Sequence, residues 1–300
     1  MIVRVRDRRT GESFEEPIFS EKLIRWAYEN FFGKTLYDLL LKRRPFTALY
    51  GWNKDSRRSV REIAPFVERF DIDLAESEKT LGEFQSFNDF FARRLKEGAR
   101  EWAESEDSFP SPCEGRLFAI PRIERKTLFP IKGTEIPLAE LLRDRALPTR
   151  FEGGAAMILR LSPVDYHRFH FPDRGIPGKP RRIAGVYHSV NPIALATGHP
   201  IYCRNRRDVT LFESERFGTL LMIEVGAMGV GRIVQTFEPN RSVSCGAEKG
   251  YFQFGGSTVV LLWEERRISF DPDLIEASES GIETLVRLGE RIGIARSEQL

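Results

Sequence analysis

A stretch near the C-terminus combines residue types that could react with the chain itself. It reads Phe254-Gly255-Gly256-Ser257-Thr258, and the apolar, β-branched run that follows predicts a buried strand. Glycines at a strand entrance let the backbone bend and let other groups approach it closely. If a base removes the Ser257 proton, the oxygen can attack the Gly256 carbonyl and convert the peptide into an ester. The same string is common at tight turns, so this stretch alone leaves both interpretations open.

Candidates for that base are few, because the chain has only four histidines. His167 and His170 lie in one short segment that also holds Asp165 and Arg168. A histidine pair beside a carboxylate and an arginine favours acid–base catalysis. A metal site is disfavoured, because no nearby cysteine or acidic cluster supplies the remaining ligands. We therefore expect no metal.

The elements that must position these residues show two kinds of hydrophobic pattern. Before about residue 100, apolar residues recur at spacings of three and four, which predicts amphipathic helices. After it, short strand-like runs separated by glycine and proline predict antiparallel strands, and a last helix is expected over 274–292. The expected fold class is α+β. An N-terminal amphipathic, membrane-associating helical region (1–100) precedes a mainly antiparallel, β-rich catalytic domain (101–300).

The first helical segments combine aromatic and basic residues. Trp26, Phe31 and Phe32 precede a leucine-rich run that ends in Lys42-Arg43-Arg44. This composition is typical of a segment that lies on an anionic bilayer. The alternative is a helix pair packed on the rest of the domain, which has the same pattern. No stretch reaches the roughly 20 apolar residues of a spanning helix, so any membrane contact is expected to be peripheral.

Composition excludes other classes of protein. The net charge of +2 gives no general case for nucleic-acid binding. The three cysteines, Cys113, Cys203 and Cys245, are an odd number without close pairing, which argues against a disulfide framework and suits a reducing compartment. The N-terminus has no uninterrupted apolar run of signal-peptide type.

Several stretches together resemble the phosphatidylserine decarboxylases. The histidine segment is similar to that family's signature, and the Gly-Gly-Ser-Thr stretch to its self-cleavage site. The matching stretches, in chain order, are 87–95, 111–116, 132–133, 161–172, 225–233 and 254–258. Each motif alone is weak evidence, but the similarity spans roughly residues 1–265 in the right order.

The resemblance implies a proenzyme that makes its own cofactor. Ser257 would attack the Gly256 carbonyl, and β-elimination of the ester would then leave a dehydroalanine. Loss of ammonia would convert this residue into a covalent pyruvoyl group. The products would be a β chain (1–256) and an α chain (257–300), which stay together as a heterodimer.

The resemblance also implies roles for individual residues. His170 would be the base for Ser257, Glu114 would orient His170 as in a serine–histidine–acid triad, and His167 would assist decarboxylation and protonation. Glu114 departs from the family's usual aspartate, which puts efficient maturation in doubt; if it has no role, Asp165 is the next candidate for orienting a histidine. Gly255, where many members have a larger apolar residue, removes no catalytic group.

The implied activity is that of a carboxy-lyase. The pyruvoyl group would form a Schiff base with phosphatidylserine and release carbon dioxide, giving phosphatidylethanolamine. We expect a peripheral protein on the cytoplasmic side of the cell membrane, and homo-oligomers are a family expectation. Two alternatives stay open. One is a pyruvoyl decarboxylase of another amine-bearing acid, and the other is an uncleaved relative that only binds phospholipid.

Overall fold

The computed structural model describes residues 4–16, 21–37, 39, 42–103, 105–124, 127–129, 134–197, 200–227, 232–255 and 257–296. Gly256, which would carry the scissile carbonyl, lies outside these residues. So do the motif match at 132–133 and part of the match at 225–233.

Helices concentrate near the N-terminus and strands after it. In the described part of the chain the helices are α1 (Glu21–Glu29), α2 (Phe31–Leu36), α3 (Arg44–Asp55), α4 (Ile63–Phe70), α5 (Phe87–Phe91), α6 (Leu138–Leu142), α7 (Pro192–Leu195), α8 (Ile201–Arg204) and α9 (Pro272–Glu279). The strands are β1 (Arg4–Asp7), β2 (Ser13–Glu15), β3 (Ser108–Pro110), β4 (Gly115–Ile120), β5 (Thr127–Phe129), β6 (Thr134–Ile136), β7 (Ala155–Leu161), β8 (Arg168–His170), β9 (Gly175–Pro177), β10 (Arg181–Ile183), β11 (Arg207–Ser214), β12 (Gly218–Gly226), β13 (Ile233–Gln235), β14 (Glu248–Phe252), β15 (Ser257–Trp263), β16 (Ile268–Phe270), β17 (Glu283–Val286) and β18 (Arg291–Ala295).

A ten-stranded sheet forms the centre of the described structure. Its order is β10-β11-β12-β15-β7-β4-β17-β1-β2, with β9 paired to β11. Its neighbours pair antiparallel, except that β1 and β17 are parallel. This confirms the predicted α+β class with a mainly antiparallel sheet. Because β1 and β2 belong to this sheet, the N-terminal hundred residues contribute more than helices; the division at residue 100 stays a prediction.

The central sheet is buried on both faces. Along β15, Val260 and Leu262 face one core, while Val259, Leu261 and Trp263 face the other. Residues from α6, α7 and α8 cover the first face. The second is covered by α9 and by two three-stranded sheets, β13-β14-β8 and β16-β18-β3. Burial on both sides explains why β15 is apolar without interruption from Val259 to Trp263.

A third, aromatic core holds the chain just before β15. Phe254 lies in contact with Phe87 and Phe91 of α5, with ring centroids 4.7 and 5.0 Å apart. The Phe254 backbone N–H donates to Asn88 Oδ1 at 2.7 Å. The Ser86 side chain caps α5 by accepting from the Asp89 N–H, which sets the start of the helix. Helix α5 thereby fixes the entrance to β15.

The C-terminal prediction of one helix over 274–292 is wrong. Helix α9 ends at Glu279, and β17 and β18 follow it. Gly281 and Gly289 adopt positive φ angles of 71° and 81°, which end the helix and turn the chain between strands. Strand β17 then inserts between β4 and β1.

The N-terminal helices expose apolar side chains to solvent. Phe31 and Phe32 are 78% and 75% exposed, and Trp52 on α3 is 71% exposed. Phe31 and Phe32 are in ring contact, with centroids 5.7 Å apart. We use the name exposed aromatic face for the three exposed side chains Phe31, Phe32 and Trp52 taken together. Among the described helices, none has the length and hydropathy needed to cross a bilayer.

Candidate active site

Ser257 lies at the first position of the central strand. It is fully buried, and its backbone pairs with Gly226 on β12 and Leu161 on β7. Gly255 has a φ of 133°, a conformation that glycine adopts without steric cost. Gly255 therefore allows the chain to turn towards β15, and the strand holds the serine side chain at a fixed place in the core.

The Ser257 hydroxyl is hydrogen-bonded to His167. The distance from Ser257 Oγ to His167 Nδ1 is 3.2 Å, and His167 Nε2 lies 3.0 Å from the carbonyl oxygen of Ser162. Because a carbonyl oxygen only accepts, Nε2 must carry the hydrogen in this contact. In the neutral ring Nδ1 is then the acceptor, and the serine hydroxyl donates to it. This is the arrangement that a general base needs.

The surroundings of His167 keep the ring neutral. Burial lowers the pKa of His167 well below its usual value, and the positive charges of Arg93 and Arg116 lower it further. The ring is fully buried and stacks on Phe91, with centroids 3.8 Å apart and planes 21° apart. His167 therefore keeps a free lone pair near neutral pH, in a place from which bulk water is excluded.

The turn before β8 holds His167 through Asp165. The Asp165 carboxylate accepts from the Ser162 backbone N–H at 2.6 Å and from Arg116 Nη1. Arg116 is in turn paired with Glu16, at 2.5 Å from Nε to Oε1. Asp165 thus acts on the histidine indirectly, since it fixes the residue whose carbonyl selects the His167 tautomer.

His170 and Glu114 do not take up the predicted triad arrangement. His170 Nδ1 donates to the Gly246 carbonyl at 2.9 Å, and Nε2 lies 3.4 Å from the Tyr166 hydroxyl. The Glu114 carboxylate accepts from Arg100 Nε at 2.5 Å. Among the described contacts, neither residue reaches Ser257 and Glu114 does not reach His170. The structure brings His167, and not His170, into contact with Ser257.

The local backbone explains this difference. Three-residue spacing would place both histidines on one face of a helix, but this segment is a turn followed by strand β8. The His170 backbone N–H donates to Pro112 at 2.8 Å, which ties the strand down on the far side of the turn. The Glu114 carboxylate forms an ion pair with Arg100, whose side chain is also largely buried. The catalytic roles themselves stay predictions.

Two residues of the site were missed from the sequence. Phe91 stacks on His167, and the buried Arg93 contributes to the low pKa of that histidine. The signal was present, because clustered phenylalanines stand beside clustered arginines in this segment. That pattern is equally typical of a helix anchoring its aromatic residues in the core, which α5 also does.

The acidic, histidine and cysteine side chains form no cluster suited to a metal ion among the described residues. A metal-free reaction stays a prediction. A self-derived pyruvoyl group fits the site, because the one residue that could supply it, Ser257, is buried and already hydrogen-bonded to a neutral base.

Comparison with known proteins agrees with the geometry. The family model for phosphatidylserine decarboxylase matches residues 87–294. Proteins named phosphatidylserine decarboxylase proenzyme from Desulfitobacterium hafniense and Clostridium botulinum are each 44% identical to the chain. The match covers 98% of both chains for the first, and 97% of this chain and 99% of the relative for the second. A third such protein, from Ruminiclostridium cellulolyticum, is 43% identical over 97% of both chains. The chain therefore belongs to the phosphatidylserine decarboxylase family and is a decarboxylase.

Proposed function

We propose that this chain is a self-processing phosphatidylserine decarboxylase that cleaves itself between Gly256 and Ser257. The observation that carries the proposal is the hydrogen bond from the buried Ser257 hydroxyl to neutral His167 at the start of the central strand. The name of these relatives, which calls them proenzymes, supports processing of the chain.

In the cleavage step, His167 Nδ1 accepts the hydroxyl proton as Ser257 Oγ attacks the Gly256 carbonyl carbon. A carbon–oxygen bond forms and the peptide carbon–nitrogen bond breaks, and the proton passes to the new amine. Removal of the Cα proton then expels the Gly256 carboxylate from Cβ and leaves a dehydroalanine. Its imine tautomer takes up water and releases ammonia. Water is the only co-reactant.

The resulting pyruvoyl group supplies a carbonyl that condenses with the substrate's amine and accepts the electrons released with carbon dioxide. His167 would then lie beside the reacting atoms, with Nδ1 placed to hold a proton and return it to the substrate carbon. Phe91 on the ring face keeps His167 in place, and the buried setting limits access of water to the reacting atoms.

The substrate's acyl chains require an approach from a lipid surface. We propose that α1, α2 and α3 bind the cytoplasmic side of the cell membrane peripherally, through the exposed aromatic face. In support, Phe31, Phe32 and Trp52 are largely exposed, and basic residues lie nearby in the sequence. Amphipathic aromatic and basic segments bind anionic bilayers in this way.

The test is an intact mass spectrum of the denatured protein, with Ser257→Ala for comparison and Ser280→Ala as a matched control in the same fragment. We expect the parent and the control to give two fragments divided after Gly256. The smaller should be lighter than a serine-started chain by about 17 mass units, because conversion of the serine into a pyruvoyl group loses ammonia overall. Ser257→Ala should stay whole, and two fragments from it would rule out the assignment of Ser257.

The substrate is tested on the same preparation. Carbon dioxide release should be far greater from short-chain phosphatidylserine than from free serine. Release from free serine alone would indicate a decarboxylase of another amine-bearing acid. A single uncleaved species that still binds lipid vesicles would indicate a phospholipid-binding relative.

A further inference from the structure

The buried side chain of Arg93 has a hydrogen-bond donor that nothing in the described structure uses. Arg93 is 7% exposed, and its Nη2 donates to the carbonyl oxygens of Val164 at 3.2 Å and Asp165 at 3.5 Å. Its Nη1 is buried and has no hydrogen-bond partner among the described residues. Leaving a buried donor of a charged group unpaired is costly, so such a group calls for a functional explanation.

The positive charge of Arg93 has no ion-pair partner among the described residues; its guanidinium lies over the Phe90 ring, 5.2 Å from the ring centroid. No carboxylate of the described residues lies within 4.0 Å of it. The two acidic groups of this region are engaged elsewhere: Glu114 is paired with Arg100, and Asp165 with Arg116. Arg93 therefore retains both a donor and a charge for an anion that is not part of the chain.

Arg93 lies at the candidate active site. The carbonyls that its Nη2 contacts belong to the turn that leads directly to His167. Two residues before Arg93, Phe91 stacks on the His167 ring. The side chain is thus held by the same two segments, the end of α5 and the histidine turn, that hold the base of Ser257.

We propose that Arg93 Nη1 binds the phosphodiester of the phospholipid substrate, an inference that rests on the proposed function. The substrate offers two anions, its carboxylate and its phosphate. The carboxylate gives up its charge during decarboxylation, so a cation on it would stabilise the substrate more than the transition state. The phosphodiester keeps its charge throughout, and arginine is well suited to hold it.

The first test changes the protein. In Arg93→Met we expect KM for dihexanoyl phosphatidylserine to rise about 10- to 100-fold, as for the loss of a charged hydrogen bond. The kcat should stay within about threefold. Arg93→Lys should recover part of the loss, because it keeps the charge. Arg94→Met is the matched control, since Arg94 is the adjacent arginine and is exposed; its KM should not change.

Measuring self-cleavage of the parent and of Arg93→Met distinguishes failure of this inference from failure of the proposed function. If Arg93→Met gives two fragments like the parent, its histidine turn is intact and a KM effect reports on substrate. If the parent itself does not cleave, the proposed function fails first. If Arg93→Met stays whole while the parent cleaves, Arg93 serves to position the turn, and the substrate-side test below decides the proposal.

The second test changes the ligand and leaves the protein intact. The parent should bind dihexanoyl phosphatidylethanolamine, measured by calorimetry, at least tenfold more tightly than the O-methyl phosphotriester of the same lipid, whose phosphate carries no charge. Arg93→Met should abolish that preference. Equal binding of diester and triester by the parent would overturn the proposal. An Arg93 effect confined to carboxylate-bearing ligands would also overturn it and assign the arginine to the carboxylate.

Discussion

At the scale of single residues, the two histidines of one segment occupy different hydrogen-bond networks, and their replacement should separate them. His167→Ala should stay as one uncleaved chain, because it removes the acceptor of the Ser257 proton. His170→Ala should still cleave, because its ring contacts Gly246 and Tyr166 instead. The measurement is the fraction cleaved over time, by intact mass. Cleavage of His167→Ala together with an intact His170→Ala would return the role of base to His170.

The same burial that keeps His167 neutral should make stability depend on pH. The pKa of His167 in the folded chain lies well below 6.5, so below that pH the unfolded chain binds a proton that the folded chain does not. The free energy of unfolding is therefore complete above pH 6.5 and falls as the pH falls, by up to about 1.4 kcal/mol per unit per proton.

The measurement is urea unfolding of uncleaved Ser257→Ala between pH 5 and 7. The pKa of His170 is also lowered by burial, so part of the slope belongs to it. Adding His167→Asn to Ser257→Ala should remove the contribution of His167, so that the free energy of unfolding depends less steeply on pH. An unchanged slope would mean that His167 takes up its proton equally in both states.

At the scale of elements, one buried ion pair joins the central sheet to the small sheet beside the histidine turn. Lys249 on β14 lies 2.9 Å from Glu224 on β12, and both side chains are completely buried. Gln235 on β13 bonds to both of them. Strand β12 also pairs with β15, and β14 pairs with β8, so this contact helps to hold the serine strand and the histidine turn in one arrangement.

Removing one member of this ion pair should destabilise the fold more than removing both members. Glu224→Leu should lower the free energy of unfolding by about 3–5 kcal/mol, because it leaves the Lys249 ammonium buried without its counter-charge. Glu224→Leu combined with Lys249→Met should be much milder, since both charges are then absent. Urea unfolding of uncleaved variants measures the coupling. Lys249→Met alone completes the comparison. If the losses of unfolding free energy in Glu224→Leu and Lys249→Met simply add in the double variant, the pair has no energetic coupling.

At the scale of the whole molecule, the exposed aromatic face should govern vesicle binding. Changing Phe31, Phe32 and Trp52 together to serine should weaken binding to phosphatidylserine-containing vesicles at least tenfold, because each ring contributes roughly 1.5–3 kcal/mol when fully buried. Flotation on a density gradient measures it. Ile176→Ser is the control, an apolar side chain on β9 that is 46% exposed. Unchanged flotation of the triple variant would contradict membrane contact through this face.

The sequence predicted the fold where one local pattern determined the outcome. The mainly antiparallel α+β class was predicted, because helical spacing before about residue 100 and short strand-like runs after it leave little choice. The prediction of a helix over 274–292 was wrong, because the apolar spacing of this segment suits a helix while part of it forms β17 between β4 and β1. Propensity is weak against such tertiary pairing.

The site was predictable in its residue types and less so in its pairings. Ser257 and the histidine segment stood out by sequence, but the choice between His167 and His170 depends on a turn that Asp165 and Arg116 close from distant parts of the chain. The spare donor of Arg93 was beyond sequence reasoning altogether, because a missing partner is visible only when all neighbours are placed.

The place of β15 in the central sheet implies that folding precedes the proposed cleavage. The segment after the proposed cut contributes β15 between β12 and β7, and β17 between β4 and β1. If the chain is cut as proposed, the two pieces would be interleaved and could not separate unless the sheet unfolded. After melting, they would have to find each other again as a second-order reaction, which dilution slows. Since His167 meets Ser257 only in the assembled sheet, the proposed cut would act as a check on folding: a misfolded chain would not acquire the proposed pyruvoyl group.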